Sequence, residues 1–346
     1  MSKLGLSRSR RREFTNPAVT TNTYAGNLAL PFMTPALKAN ATVANNFVTV
    51  LDGIHYKAVL PTETAASDIV QANACAYTDG DSFTLDETTI TLDELMVNET
   101  ICRNQVYQTW HGAATSMVNS DYMSQEFINF TMGLTAAKVA ESNENAIWKG
   151  SSHTKGFLSD DGVFDATGFA AGALASANTA SISAITNANA IAQFNAVYND
   201  AIANNSAVFS KPDIAFYVST KTYALYTQQL AGLGASISST ITSNDVVATQ
   251  TGVGQGINNA GPTGNFNGIG FMGIPINVCP GMFDDAIVLA PKSNLVFATN
   301  LGTDLSTASY IPAYLYDGSD NVKIVMRFAW GVGSSVVSDV TVGKTF

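Results

Sequence analysis

The chain has 346 residues, 46% of them hydrophobic and only 13% charged, with 17 Lys and Arg against 27 Asp and Glu. That length and apolar content exclude an intrinsically disordered chain and leave room for one large or two ordinary domains. The absence of any run of 18 apolar residues excludes a helical membrane span.

The charged fraction is about half the usual quarter, so Asn, Thr, Ser, Ala and Gly must cover the surface. Such a coat suits surfaces that are later buried against partners. Charge is also unevenly placed: Lys3, Arg8, Arg10, Arg11 and Arg12 put five bases and no acid in the first twelve positions. No hydrophobic stretch follows them, so a secretory signal is not expected. The segment is Arg-rich and nearly free of acids, as mitochondrial presequences are, but it lacks their amphipathic length. Cys75, Cys102 and Cys279 are odd in number and far apart, which suits reduced thiols in a cytosolic setting. The Asn-x-Ser/Thr sequons at Asn40, Asn98, Asn129 and Asn204 then carry no glycan.

Residues 13 to about 45 read as an extended arm, because Pro17, Pro31 and Pro35 interrupt helical pattern. "FVTVLDGIHYKAVLP" places two β-rich runs around Asp52-Gly53, the dipeptide of a tight hairpin. "SFTLDETTITLDELMV" reads as a second hairpin turning near Asp86-Glu87. Together, residues 57–101 look like a long two-stranded projection with little of its own to bury. A short helix is expected around 104–118. A long one is expected over about 121–149, capped by Ser120 or Asp121 and ended by Gly150. Its apolar stripe is Met123, Phe127, Phe130, Leu134 and Ala137.

Residues 160–186 read as loop with weak strands. Ile191, Phe194, Tyr198 and Ile202 mark another helix, and "DIAFYV" (213–218) a buried strand. A third helix is capped by Ser219 or Thr220 and stops at Gly232–Gly234. Eight glycines between 252 and 273 make that stretch a loop. "IPINVCP" and "AIVLAP" are short strands. In "VKIVMRFAWG", Val322, Ile324, Met326, Phe328 and Trp330 alternate without a break, the period of a strand with one fully buried face. Strands and helices mix without βαβ regularity, which is α+β organisation.

Catalytic chemistry is not supported. The three histidines, His55, His111 and His153, form no metal motif, and no cysteine pair has ligand spacing. "GVGQGI" at 252–257 has its third glycine one position early for a dinucleotide loop, and "GKT" at 343–345 has Ser338 where a P-loop needs glycine. Acid pairs at 79/81, 86–87, 93–94, 160–161 and 284–285 fall where solvation explains them. No Gly-x-Ser-x-Gly elbow occurs. No cofactor or metal is expected.

The order of elements, with "SNENAIWKG" closing the long helix, "NGIGFMGIPINVCPGMFDDAIVLAPKSNLVFATNLGTDL" and "YDGSDNVKIVMRFAWGVG", resembles the major capsid proteins of tailed bacteriophages, the Hong Kong 97 fold. The resemblance rests on order and texture over nearly the whole chain. It implies an N-terminal arm (1–46), an extended loop (57–101), a peripheral domain (102–160 and 301–334, with the spine helix at about 121–149) and an axial domain (161–300 and 335–346). It further implies a subunit that assembles with itself into pentamers and hexamers of an icosahedral shell around double-stranded DNA. Portal, scaffolding and cement proteins would be partners, DNA would be held by non-specific contact, no membrane would be involved, and the virion capsid would be assembled in the host cytoplasm. Scaffolding is expected to be separate or supplied by a removed part.

Candidate contacts to neighbouring subunits or to DNA are Lys3, Arg8, Arg10, Arg11 and Arg12 in the arm. Candidate inter-subunit contacts in the loop are Asp86, Glu87, Asp93 and Glu94. Some members of the family crosslink their subunits through a loop lysine, but this chain has no lysine between Lys57 and Arg103. Denaturing gels of purified particles are therefore expected to show a single subunit band; a covalent ladder would contradict this. Alternatives are an encapsulin-like compartment, a monomeric β-rich surface-binding module, and a hydrolase using an acid pair.

Overall fold

The computed structural model describes residues 22–25, 29–64, 75, 84–102, 125–159, 162–164, 178–238, 270–313, 316, 318–319 and 321–345. The expected helix at 104–118, the caps at Ser120 and Asp121, and the 252–257 motif lie outside them.

A short strand β1 (Asn22–Ala25) leads into helix α1 (Leu30–Lys38) and the single turn α2 (Ala41–Ala44). The expected arm is thus partly helical despite its prolines. Pro31 sits in the first turn, where a missing N–H removes no intrahelical bond. Pro35 does remove one, and burial of Met33, Ala36 and Leu37 offsets the loss. Asn40 caps α2, its side-chain oxygen accepting from the Val43 N–H at 2.9 Å.

β2 (Thr49–Leu51) and β3 (Lys57–Thr64) flank Asp52-Gly53, and Gly53 has the positive φ of a turn. They do not form the expected hairpin. β2 runs parallel to β11 (Leu295–Thr299), while β3 pairs antiparallel with β4 (Thr84–Thr91). The second expected hairpin is also absent. β4 and β5 (Asp93–Cys102) run on with only Leu92 between them, and β5 pairs with β13 (Asn321–Ser334). Alternation locates strands, but a change of partner at a single residue leaves no trace in the pattern.

The first sheet has the order β1–β12–β13–β11–β2, with β12 at Thr307–Pro312 and β5 along the other side of β13. Along β13, Val322, Ile324, Met326, Phe328 and Trp330 are all buried, as their alternation predicts. They face α1 and the long helix α3 (Gln125–Lys149) in one core. Gly150 ends α3 with φ +72° and its N–H on the Ala146 carbonyl at 2.8 Å, the expected left-handed cap.

The second sheet has the order β6–β14–β10–β7–β9–β8: Thr179–Ser181, Thr341–Lys344, Ala286–Pro291, Ile214–Val218, Ile274–Val278 and Gly270–Phe271. Its central strands β7 and β10 are buried on both faces, hence their unbroken apolar runs. Ala215, Tyr217 and Val288 point into the core shared with the first sheet. Phe216, Ile287 and Leu289 point the other way, onto α4 (Ala190–Asn205) and α5 (Thr220–Ser238). Ser219 caps α5, its oxygen accepting from the Thr222 N–H at 3.1 Å, as expected. The helix continues to Ser238 through the glycines at which a stop was expected, because two glycines weaken a helix without terminating it.

Candidate assembly surfaces

Of the expected apolar stripe of α3, Met123 and the side chain of Phe127 lie outside the described residues, and the remaining three residues face outward instead of into the core. Phe130 is 42% and Leu134 53% exposed, and Ala137 is exposed as well. The core side carries Met132, Ala136, Val139, Ile147 and Trp148 together with buried Thr131, Thr135, Asn143 and Glu144. Polar residues on the inner side and apolar ones on the outer side misdirect any amphipathic reading. The inner polar groups are bonded. The Thr135 hydroxyl donates to the Thr131 carbonyl, Asn143 donates to the Ala36 carbonyl at 3.1 Å, and Asn143 accepts from the Trp330 indole at 3.2 Å.

Glu144 joins three separate segments. Its carboxyl oxygens accept from the Thr42 N–H (2.8 Å), the Thr42 hydroxyl (2.7 Å) and the Gly281 N–H (3.3 Å). The Trp148 indole donates to the same Thr42 hydroxyl at 2.9 Å. No lysine or arginine among the described residues pairs with Glu144. The fit at Gly281 is close, since a Cβ there would lie 2.1 Å from the Glu144 carbonyl oxygen. This cluster fixes α3 to α2 and to the turn before β10, so it ties the two sheets together. Burial, and then the nearby Glu144 carboxyl, push the adjacent Cys279 thiol well up, as for a buried packing residue.

The ribbon formed by β3 and β4 is the second element of interest. Its inner face, with Ala58, Ile90 and Leu60, rests on Val296, Ala298 and Ala329 of the first sheet. Gly331 and Gly333 make room for it: a Cβ at 331 would lie 2.5 Å from the Thr91 carbonyl oxygen, and one at 333 would lie 2.4 Å from an Ile90 side-chain carbon. The Thr62 hydroxyl donates to the Ser335 carbonyl at 2.9 Å. The opposite face leaves Val59 53% exposed. The ribbon is therefore seated along its inner face on the first sheet and open on its outer side.

The predicted loop acids divide between these elements. Asp86 and Glu87 stand in mid-ribbon opposite Thr62 and Pro61, not at a turn. Asp93 and Glu94 begin β5, opposite Trp330 and Ala329. Glu94 lines a groove with Asp304, Arg327, Met96 and Leu305. The basic residues Lys3, Arg8, Arg10, Arg11 and Arg12 lie outside the described residues. Sequence reasoning missed the Glu144 cluster, and the only signal for it was an acid beside apolar residues near the end of a helix.

Among the described residues the histidines and acid pairs singled out in the sequence lie on separate segments. His55 is exposed in a turn and not in a strand, and His153 is exposed in a loop. Asp285 accepts from the Ile185 N–H at 2.9 Å, and Asp284 faces Lys221 at 3.5 Å. Among the described residues no group of His, Cys, Asp or Glu is arranged to hold a metal ion, and no helix is long and apolar enough to cross a membrane.

No family model and no curated protein matches the chain. Solved structures do. The capsid of an empty GTA particle computed with C5 symmetry superposes with a TM-score of 0.50 at 13% identity, covering 88% of this chain and 89% of that one. Gordonia phage Cozz superposes with a TM-score of 0.51 at 9% identity, covering 89% and 87%. Identity this low speaks to architecture alone, but the coverage is nearly complete in both directions. The chain has the α+β, Hong Kong 97-type fold of phage capsid subunits.

Proposed function

We propose that the chain is the major capsid protein of a tailed phage or phage-like particle, the repeating subunit of an icosahedral shell around double-stranded DNA. The observation that carries this reading is the near-complete two-way superposition on the GTA and Gordonia phage structures. The surfaces support it. A ribbon seated on its inner face and open on its outer face, and a long helix with Phe130 and Leu134 turned outward, suit burial against neighbours. Contacts of that kind, repeated head-to-tail around a ring, build capsomers. In this reading the partners are further copies of the chain, with portal, scaffolding and cement proteins, and the location is the virion. Electron microscopy of the purified protein tests it.

The basic segment at positions 3–12 is assigned a protein partner within the shell in preference to DNA, because five charges are few for holding a genome. Neutralising Arg8, Arg10, Arg11 and Arg12 together is expected to cut the yield of empty shells at least ten-fold in nuclease-treated samples. An unchanged yield of empty shells would return the segment to DNA.

A further inference from the structure

β5 pairs with β13 over ten consecutive residues, from Cys102 opposite Asn321 to Asp93 opposite Trp330, and with no other described strand. Among the described residues no strand pairs with its second edge, whose backbone N–H and C=O groups form a template for another strand. Edges of this kind are normally blunted by proline, charged side chains and above all lysine, a bulge or shortness. "DELMVNETIC" is ten residues long, contains no proline, glycine or lysine, and keeps an unbroken register with β13. Met96 on this strand is 59% exposed. Beneath the strand opens a groove of about 590 Å³, lined by Leu95, Val97 and Ile101 of β5 and Leu134 of α3.

We propose that this edge is an interface between two copies of the chain, joined by antiparallel β5–β5 pairing across a two-fold axis at Asn98. The proposal rests on the shell-subunit reading and names one contact within it. The register follows from the side chains. Residues opposed in an antiparallel pair point to the same face, so a two-fold axis normal to the sheet must place one residue opposite its own copy. An axis at Glu99 sets two glutamates against each other, and an axis at Met96 sets Asp93 against Glu99; like charges opposed in this way are destabilising. An axis at Val97 sets two apolar residues against acids, Leu95 against Glu99 and Ile101 against Asp93. The axis at Asn98 leaves one such mismatch, Val97 against Glu99, and otherwise pairs Leu95 with Ile101, Met96 with Thr100, and Asn98 with itself, with no acid opposed to an acid. It overlaps residues 94–102 and brings the two apolar grooves together along one seam.

The test is an Asn98→Cys variant of the full chain in which Cys75 and Cys102 are replaced by serine. It is oxidised mildly with diamide, run on non-reducing gels and viewed by negative stain. Asn98 is exposed, so the core is untouched. Residues opposed in such a pair lie roughly 4.5–5.5 Å apart at Cα, which is within disulfide reach. Most of the chain is expected in a covalent dimer, with at least ten-fold less dimer from Glu94→Cys in the same background. Equal crosslinking at both positions would mean random collision and would overturn the contact. Shells without the dimer at position 98 would overturn it while leaving the shell reading intact. The dimer without shells would support the contact and count against the shell reading. A monomer that does not crosslink would overturn both.

Discussion

Replacing Glu144 by alanine lowers the unfolding free energy by about 3–5 kcal/mol, read as the shift in urea midpoint. The substitution removes the carboxylate that three donors share: the Thr42 N–H, the Thr42 hydroxyl and the Gly281 N–H. Each unsatisfied buried donor costs about 1–3 kcal/mol, and neighbours sharing one acceptor do not add fully. The loss should extend beyond α3, because Thr42 also holds the Trp148 indole, and Trp148 packs on Phe157 and Tyr217. A changed near-ultraviolet signal from the tryptophans is therefore expected in the folded variant. A midpoint shift equivalent to less than about 1 kcal/mol would show that the two sheets are held together elsewhere.

The second large effect concerns assembly. Gly331→Val forces a side chain into the space between β13 and the ribbon, where the nearest atom is the backbone oxygen of Thr91 at 2.5 Å from the new Cβ. A backbone oxygen cannot rotate aside as a side chain can, so the ribbon base must lift. The local cost is about 1–3 kcal/mol, as for other overpacking changes. The core face of β13 is unaffected, since Trp330 and Val332 point the other way. The variant is expected to fold, with far-ultraviolet spectra unchanged, and to form less than a tenth of the normal amount of shells by sedimentation. Gly333→Ala should do less, because its obstacle is the Ile90 side chain, which can shift. Normal shell yield from Gly331→Val would mean that the seat of the ribbon on β13 does not matter for assembly.

What the sequence revealed follows from how local each signal is. β13 was legible from its alternation because one face is buried and the other is not. β7 and β10 were legible as buried strands but not as to which sheet face each residue serves, since both faces are covered. α1 was hidden by Pro31, which costs nothing in the first turn, and by Pro35, whose local penalty is outweighed by packing against α3. The orientation of α3 was misread because its inner side is partly polar, and those groups are satisfied by partners such as Thr42, 102 residues away. The seat of the ribbon is visible as "GVG" at 331–333 only once Ile90 and Thr91 are known to lie above it. Long-range partners decide all of these, and no window of the sequence contains them.

The most direct measurement is negative-stain or cryo-electron microscopy of the purified chain, alongside its sedimentation coefficient. A shell subunit gives closed icosahedral particles or rings of five and six copies. A dispersed 36.4 kDa monomer at assembly concentrations would contradict the account.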